Sequence, residues 1–212
     1  MPCGCYEKAA IEMLEFFLKG GPLMWPILLC SVISAAIVLE RLYKFHQVRI
    51  KVPNISSRVK NLLKEEKATE AIKLCESIND PVAHILAIGI RIRKRSIEEQ
   101  EKMISRAGSK IIRQLEKNLR GLAIIGNIAP LLGLLGTVTG MIKAFMKIQD
   151  LDGRVDASIL AGGIWEALIT TAAGLAIAIP TLVAYHYFEG KVDNIGVRMK
   201  DEAMDFLEIE HA

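Results

Sequence analysis

The stretch Gly133–Phe145, GLLGTVTGMIKAF, decides how the chain is read. It lies in an apolar run long enough to cross a bilayer, yet it places glycine and threonine along one helical side. A second apolar run carries one carboxylate, Glu166, followed by Thr170, Thr171, Gly174 and Pro180. Glycine, threonine, proline and a lone acid make a poor greasy anchor. They suit helices that pack closely on neighbours and line a polar path.

Charge is distributed in blocks around these runs. The chain has 212 residues, 51% of them hydrophobic. No Asp, Glu, Lys or Arg occurs from Gly20 to Leu39, from Gly121 to Ile142 or from Ala167 to Tyr185. Each run is close to the ~20 residues that cross the hydrocarbon as a helix. The sequence therefore predicts an all-α membrane protein with three transmembrane helices. A soluble core is the competing reading, but a chain this short has too few amphipathic helices to wrap three fully apolar ones. A signal peptide is the competing reading of the first run. That run follows the acids Glu7, Glu12 and Glu15 and precedes Glu40, Arg41 and Lys44, with no convincing small-residue cleavage site, so it reads as a retained span.

The net charge of +3 conceals an asymmetry. Residues 41–120 hold 19 of the 27 Lys and Arg residues but only 9 of the 24 acids. The positive-inside rule places this segment in the cytoplasm, with the N-terminus outside and the C-terminus inside. Nucleic-acid binding is the other reading of a basic segment, but here the excess is greatest beside the spans, as topology alone requires. The four cysteines form no framework. Cys30 lies in a span, Cys75 reads as cytoplasmic and reduced, and Cys3 and Cys5 face the outer compartment.

These signals divide the chain as follows. Residues 1–20 read as an outer amphipathic helix, on the spacing of Ile11, Leu14, Phe17 and Leu18. The first span occupies 21–43, a cytoplasmic helical region 44–120, the second span 121–147, a short outer loop 148–160, the third span 161–188 and a cytoplasmic C-terminal helix 189–212. In the cytoplasmic region Leu62, Leu63, Ala71, Ile72 and Leu74 suggest one apolar stripe. Asp80-Pro81 marks a helix start, and Ser96-Ile97-Glu98-Glu99 fits a capping box. No Gly-Pro break follows until the outer loop, which predicts one helix of about 50 residues, roughly 75 Å long.

Two stripes could carry chemistry. In the second span Gly126, Pro130, Gly133, Thr137, Gly140 and Ala144 recur at steps of four and three, on one helical side. In the third span Glu166, Thr170, Ala173, Ile177, Pro180 and Ala184 do the same, beside a second line through Ala167, Thr171, Gly174, Ala178 and Thr181. Leu168, Leu175 and Leu182 occupy a different side that suits lipid or an apolar neighbour. Gly133, Gly136, Gly140, Gly174, Pro130 and Pro180 read as helix-packing positions. Glu166 admits two readings: an interfacial acid reaching headgroup water, or a proton acceptor at the mouth of a polar path relayed by Thr137 and Thr171. The threonines likewise admit packing on their own helix or ordering of water by hydroxyls that donate and accept. His84 and His186 read as solvated or packed. No metal-ligand spacing, nucleotide loop or catalytic triad occurs, so no enzyme, no cofactor and no metal is expected.

The strings GLLGTVTGMIKAF and GGIWEALITTAAGLAIAIPTLVAYHYF, the flanks of the first span (GGPLMWPILL, LERLYKF), the order of spans and the basic loop resemble the MotA/TolQ/ExbB proton-channel family, most closely its ExbB and TolQ members. The resemblance covers nearly the whole chain. It implies a ring, usually a homopentamer, in the bacterial inner membrane. The ring encloses the single spans of an ExbD- or TolR-like partner, whose membrane aspartate is the main protonation site. It implies coupling of the proton motive force to a TonB- or TolA-like protein acting on the outer membrane. The family's polar channel residues match Thr137, Glu166 and Thr171, with Thr170 beside them. The glutamate and the lack of a fourth span argue against the MotA branch. A non-conducting scaffold that packs a single-span partner is the alternative.

Overall fold

The computed structural model describes residues 20–47, 55–150 and 157–211, all of them in helices or short turns. The expected outer helix (apart from Gly20), Cys3, Cys5 and residues 151–156 of the outer loop lie outside these residues. Among the described residues seven helices follow in order: α1 (Met24–Gln47), α2 (Ile55–Lys64), α3 (Ala68–Glu76), α4 (Pro81–Ile92), α5 (Ile97–Glu116), α6 (Leu119–Asp150) and α7 (Ala157–His211). Three of them, α1, α6 and α7, are long and apolar enough to cross a membrane. Their interior prolines, Pro130 and Pro180, sit inside unbroken helices.

The chain divides into two units. Among the described residues, the span unit comprises those up to Val38 together with those of Gly121–Tyr185. Its large apolar side chains point outward: Trp25, Leu29, Leu131, Phe145, Trp165 and Val183 are all more than half exposed. That inversion of the soluble pattern is what a lipid solvent requires. Small residues fill the interior instead, with Ala129, Ala144, Ala167 and Ala178 almost fully covered.

The second, amphipathic unit comprises Leu39–Arg120 and His186–Ala212. Its core is made of larger side chains, including Ile85, Leu86, Ile104, Phe188, Val192 and Phe206. Phe45 stacks on Phe188 with centroids 5.4 Å apart, and Phe206 covers Gly89, where an added Cβ would lie 2.9 Å from its ring. The Asp80 carboxylate accepts the Val82 N–H at 2.8 Å, with Pro81 in the first turn. Ser96 accepts the Glu99 N–H at 3.4 Å. The predicted apolar stripe is corrected: a turn over Glu65–Lys67, with Glu66 at φ 57°, separates α2 from α3. The fully covered residues there are Val59, Ala71 and Cys75, while Leu62, Leu63, Ile72 and Leu74 are half-buried.

The single 50-residue helix is also corrected. It breaks at Lys117-Asn118, where Asn118 adopts φ 69°. Asparagine tolerates this left-handed conformation because its short side chain bonds locally. The break leaves orphan carbonyls at the end of α5, and Arg41 reaches one of them and the carbonyl just beyond. Its guanidinium donates to the Leu115 carbonyl at 2.9 Å and to the Lys117 carbonyl at 2.6 Å. Asn118 donates in turn to Glu40 at 2.7 Å. No glycine or proline marks the break. Its determinants lie more than seventy residues away, on α1.

Candidate functional site between the second and third spans

Within the span unit α6 and α7 meet backbone to backbone. An added Cβ at Gly133 would lie 3.0 Å from the Thr170 carbonyl oxygen and 3.0 Å from the Thr171 Cα. One at Gly174 would lie 2.6 Å from the Ala129 carbonyl oxygen. Gly140 sits against Ala167 and Gly136 against the Thr170 side chain. Glycine is required at these positions because the space for a side chain holds the other helix. Such approach lets dispersion and polar contacts drive association in lipid.

The hydroxyls of the three threonines differ in their partners. Thr171 Oγ1 donates across the interface to the Gly133 carbonyl at 3.0 Å. Thr170, only 1% exposed, donates to the Ala167 carbonyl of its own helix at 2.7 Å. Thr137 donates to the Leu134 carbonyl at 2.6 Å, also within its own helix, and is half-exposed. The structure thus brings Thr171 and Gly133 together and leaves Thr137 at the edge of the contact. The buried line on α6 runs through Gly126, Ala129, Gly133, Gly136, Gly140 and Ala144. Pro130 is half-buried beside that line, and Pro180 is exposed. Leu182 covers Gly126 instead of facing outward with Leu168 and Leu175.

Glu166 lies one turn from Thr170, and its carboxylate is 3.4 Å from Lys143 Nζ on α6. The same carboxylate reaches Gly21, at φ 72° in the turn before α1, where any Cβ would collide with it. Glu166 therefore touches groups from all three spanning segments. Sequence reasoning missed Lys143 and Gly21 as its neighbours. Lys143 could have been noticed as the cation that ends the charge-free run of the second span. Gly21 carried no signal beyond its place in a turn. Among the described residues no cluster of three or more His, Cys, Asp or Glu side chains could hold a metal.

A model of the MotA/TolQ/ExbB proton channel family matches residues 77–201, which include α5, α6 and the contact with α7. The chain belongs to this family. Known relatives agree. The chain is 32% identical over 204 residues to an ExbB-like biopolymer transport protein of Synechocystis sp., covering 92% of this chain and 75% of the relative. It is 30% identical over 183 residues to an ExbB homolog of Methanothermobacter thermautotrophicus, covering 86% of this chain. That match spans 64% of the relative's own length, so the relative is the longer protein. The biopolymer transport protein ExbB of Neisseria meningitidis is 26% identical over 206 residues, with 90% and 91% of the two chains covered. The protein is accordingly an ExbB-like membrane proton channel subunit, a multi-pass inner-membrane protein of a transport family and not of an enzyme family.

Proposed function

We propose that this chain is the ring-forming subunit of a proton-driven motor of the ExbB/TolQ type. Several copies, five by analogy with the family, surround the single spans of an ExbD- or TolR-like partner. Proton flow through the seam between α6 and α7 and the partner moves the two relative to each other, and the work passes to a TonB- or TolA-like protein. The N-terminus is periplasmic and the C-terminus cytoplasmic, with the basic region 44–120 inside. Glu166 receives protons near the outer mouth, and Thr171, Thr170 and Thr137 line the path below it. One charge crossing 100 mV releases about 2.3 kcal/mol, so a few protons suffice for a conformational step.

The single observation that carries this reading is the bond from Thr171 to the Gly133 carbonyl. It places a hydroxyl between two backbones, where a valine of similar volume would fill the same space but offer no acceptor to water. A hydroxyl at that point makes sense where water or a partner carboxylate must be met. The second reading, a non-conducting scaffold, is favoured by Thr137 and Thr170, whose hydroxyls bond only their own helix. Proton uptake into vesicles holding this chain, with and without its cognate single-span partner, separates the two. The motor reading expects poor conduction by this chain alone, uptake with the partner, and loss of that uptake in Glu166→Ala. Equal uptake in wild type and Glu166→Ala removes the glutamate from the path.

A further inference from the structure

Two exposed helix faces of the amphipathic unit find no partner among the described residues. On α5, Arg106, Lys110 and Arg113 recur at steps of four and three and so share one face, and Lys117, the residue that caps the helix, follows four further on, with Ser105 and Ser109 in the same open trough. All four cations are exposed, and none makes an ion pair among the described residues. On α7, Asp193, Val197, Asp201, Met204 and Glu208 recur at steps of four, four, three and four. All are exposed, Val197 at 59% and Met204 at 52%. These three acids are equally unpaired.

The two faces are complementary, yet they are turned apart. Where α5 and α7 approach each other, Ile112 is the neighbour of Gly196 and Met199 the neighbour of Gly108. At about 100° per residue, the cations lie about 150° around α5 from that contact and the acids about 130° around α7. Within one copy they cannot meet. Across copies they can, in a head-to-tail arrangement where one face of each subunit meets the other face of the next.

The same contact fixes their heights. Residue 112 is level with 196 and 108 with 199, so α5 and α7 run antiparallel. Counting outward, Arg106 comes level with Asp201, and Lys117 falls within about two residues, or ~3 Å, of Asp193. Lys110 and Arg113 bracket Val197, over which their aliphatic stems can lie. Rotation about an axis along these helices leaves every height unchanged, so the levels within one copy are the levels between neighbours.

We propose that the basic face of α5 in one copy docks on the acidic and apolar face of α7 in the next, with Arg106 opposite Asp201 and Lys117 opposite Asp193. The occupant of each face is thus a second copy of this chain. This rests on the ring proposed above and names its contact surface outside the spans. Exposed ion pairs of this kind are individually weak. Their effect is on register and on the choice of neighbour more than on adhesion.

Cross-linking between separately tagged chains tests it. Arg106→Cys on one chain and Asp201→Cys on the other are co-expressed in the full-length protein and treated with a short thiol-to-thiol linker. The mixture is expected to give a mixed-tag dimer that neither variant alone gives above the background of the natural cysteines. Adding Lys117→Glu to the first chain is expected to reduce that dimer, and adding Asp193→Lys to the second to restore it. Native mass spectrometry of the wild type separates the possible failures. An oligomer without a mixed dimer overturns this surface and leaves the ring standing. A dimer of Arg106→Cys with itself places α5 against α5 and also overturns it. A monomeric wild type overturns both.

Discussion

The span unit and the amphipathic unit are both helical, but they pack by opposite means. In the first, the interior is made of glycine, alanine and threonine, and Leu131, Phe145 and Val183 face outward. In the second, Ile85, Phe188 and Phe206 fill the interior and charges cover the exterior. Water drives large apolar side chains together, whereas lipid tails are as apolar as leucine and give them no reason to gather. What remains in lipid is close backbone approach and the occasional hydroxyl, as where Thr171 meets Gly133. A smooth interface built this way also leaves little bulk in the path of water or a proton. The same economy of side chains can therefore serve packing and conduction together.

Substitutions that add bulk to the span unit should have the largest effect. Gly174→Val is expected to prevent its assembly, at a cost of ~3 kcal/mol or more, because the clash is with the Ala129 carbonyl and the Gly133 Cα, which are backbone atoms and cannot rotate away. Gly162→Ala is the control. Nothing lies within 4 Å of its added Cβ, so thermal unfolding in detergent should move by no more than ~1 kcal/mol, towards stability.

Removal of bulk should dominate in the amphipathic unit. Phe206→Ala is expected to destabilise it by about 3–5 kcal/mol, measured as loss of cooperative unfolding, since its ring fills the space above Gly89. Arg41→Leu comes next. It strands the Leu115 carbonyl and leaves the Lys117 carbonyl with only the Leu119 N–H, with an expected loss of about 2 kcal/mol. Asn118→Ala in the same assay should cost less, near 1 kcal/mol, for a left-handed residue without its asparagine.

The smallest effect at neutral pH concerns Cys75. Burial pushes its thiol up to about 11 from an ordinary 9.0, with the charge of Glu76 adding to the shift. The native chain then holds this proton between about pH 9 and 11 while the unfolded chain releases it. Stability is unaffected below about pH 9 and falls as pH rises through about 11. Cys75→Ala should flatten that part of the pH–stability curve. Maleimide should label Cys75 at pH 8 only after unfolding.

Much of this was legible in the residues, for reasons that differ between the units. The spans were readable because lipid imposes a composition: three charge-free runs correspond to α1, α6 and α7. Asp80-Pro81 and Ser96 were readable because a helix start needs a local acceptor. The break at Asn118 was not, because what stabilises it is Arg41 and Glu40, distant in sequence. The neighbours of Glu166 were hidden for the same reason. Helical periodicity shows which residues share a side but not that Lys143 and Gly21 reach the same carboxylate. Nor does it tell which threonine hydroxyl crosses the interface. Thr137, Thr170 and Thr171 look equivalent in the sequence, and only the last bonds a neighbouring helix.

That difference supplies the most direct measurement. Proton flux is recorded in vesicles containing the chain and its single-span partner, for wild type, Thr171→Ser and Thr171→Val, with assembly checked in each. If the hydroxyl between α6 and α7 belongs to the proton path, serine retains most of the flux and valine lowers it at least about tenfold, or ~1.4 kcal/mol of barrier. Undiminished flux in an intact Thr171→Val complex contradicts the account.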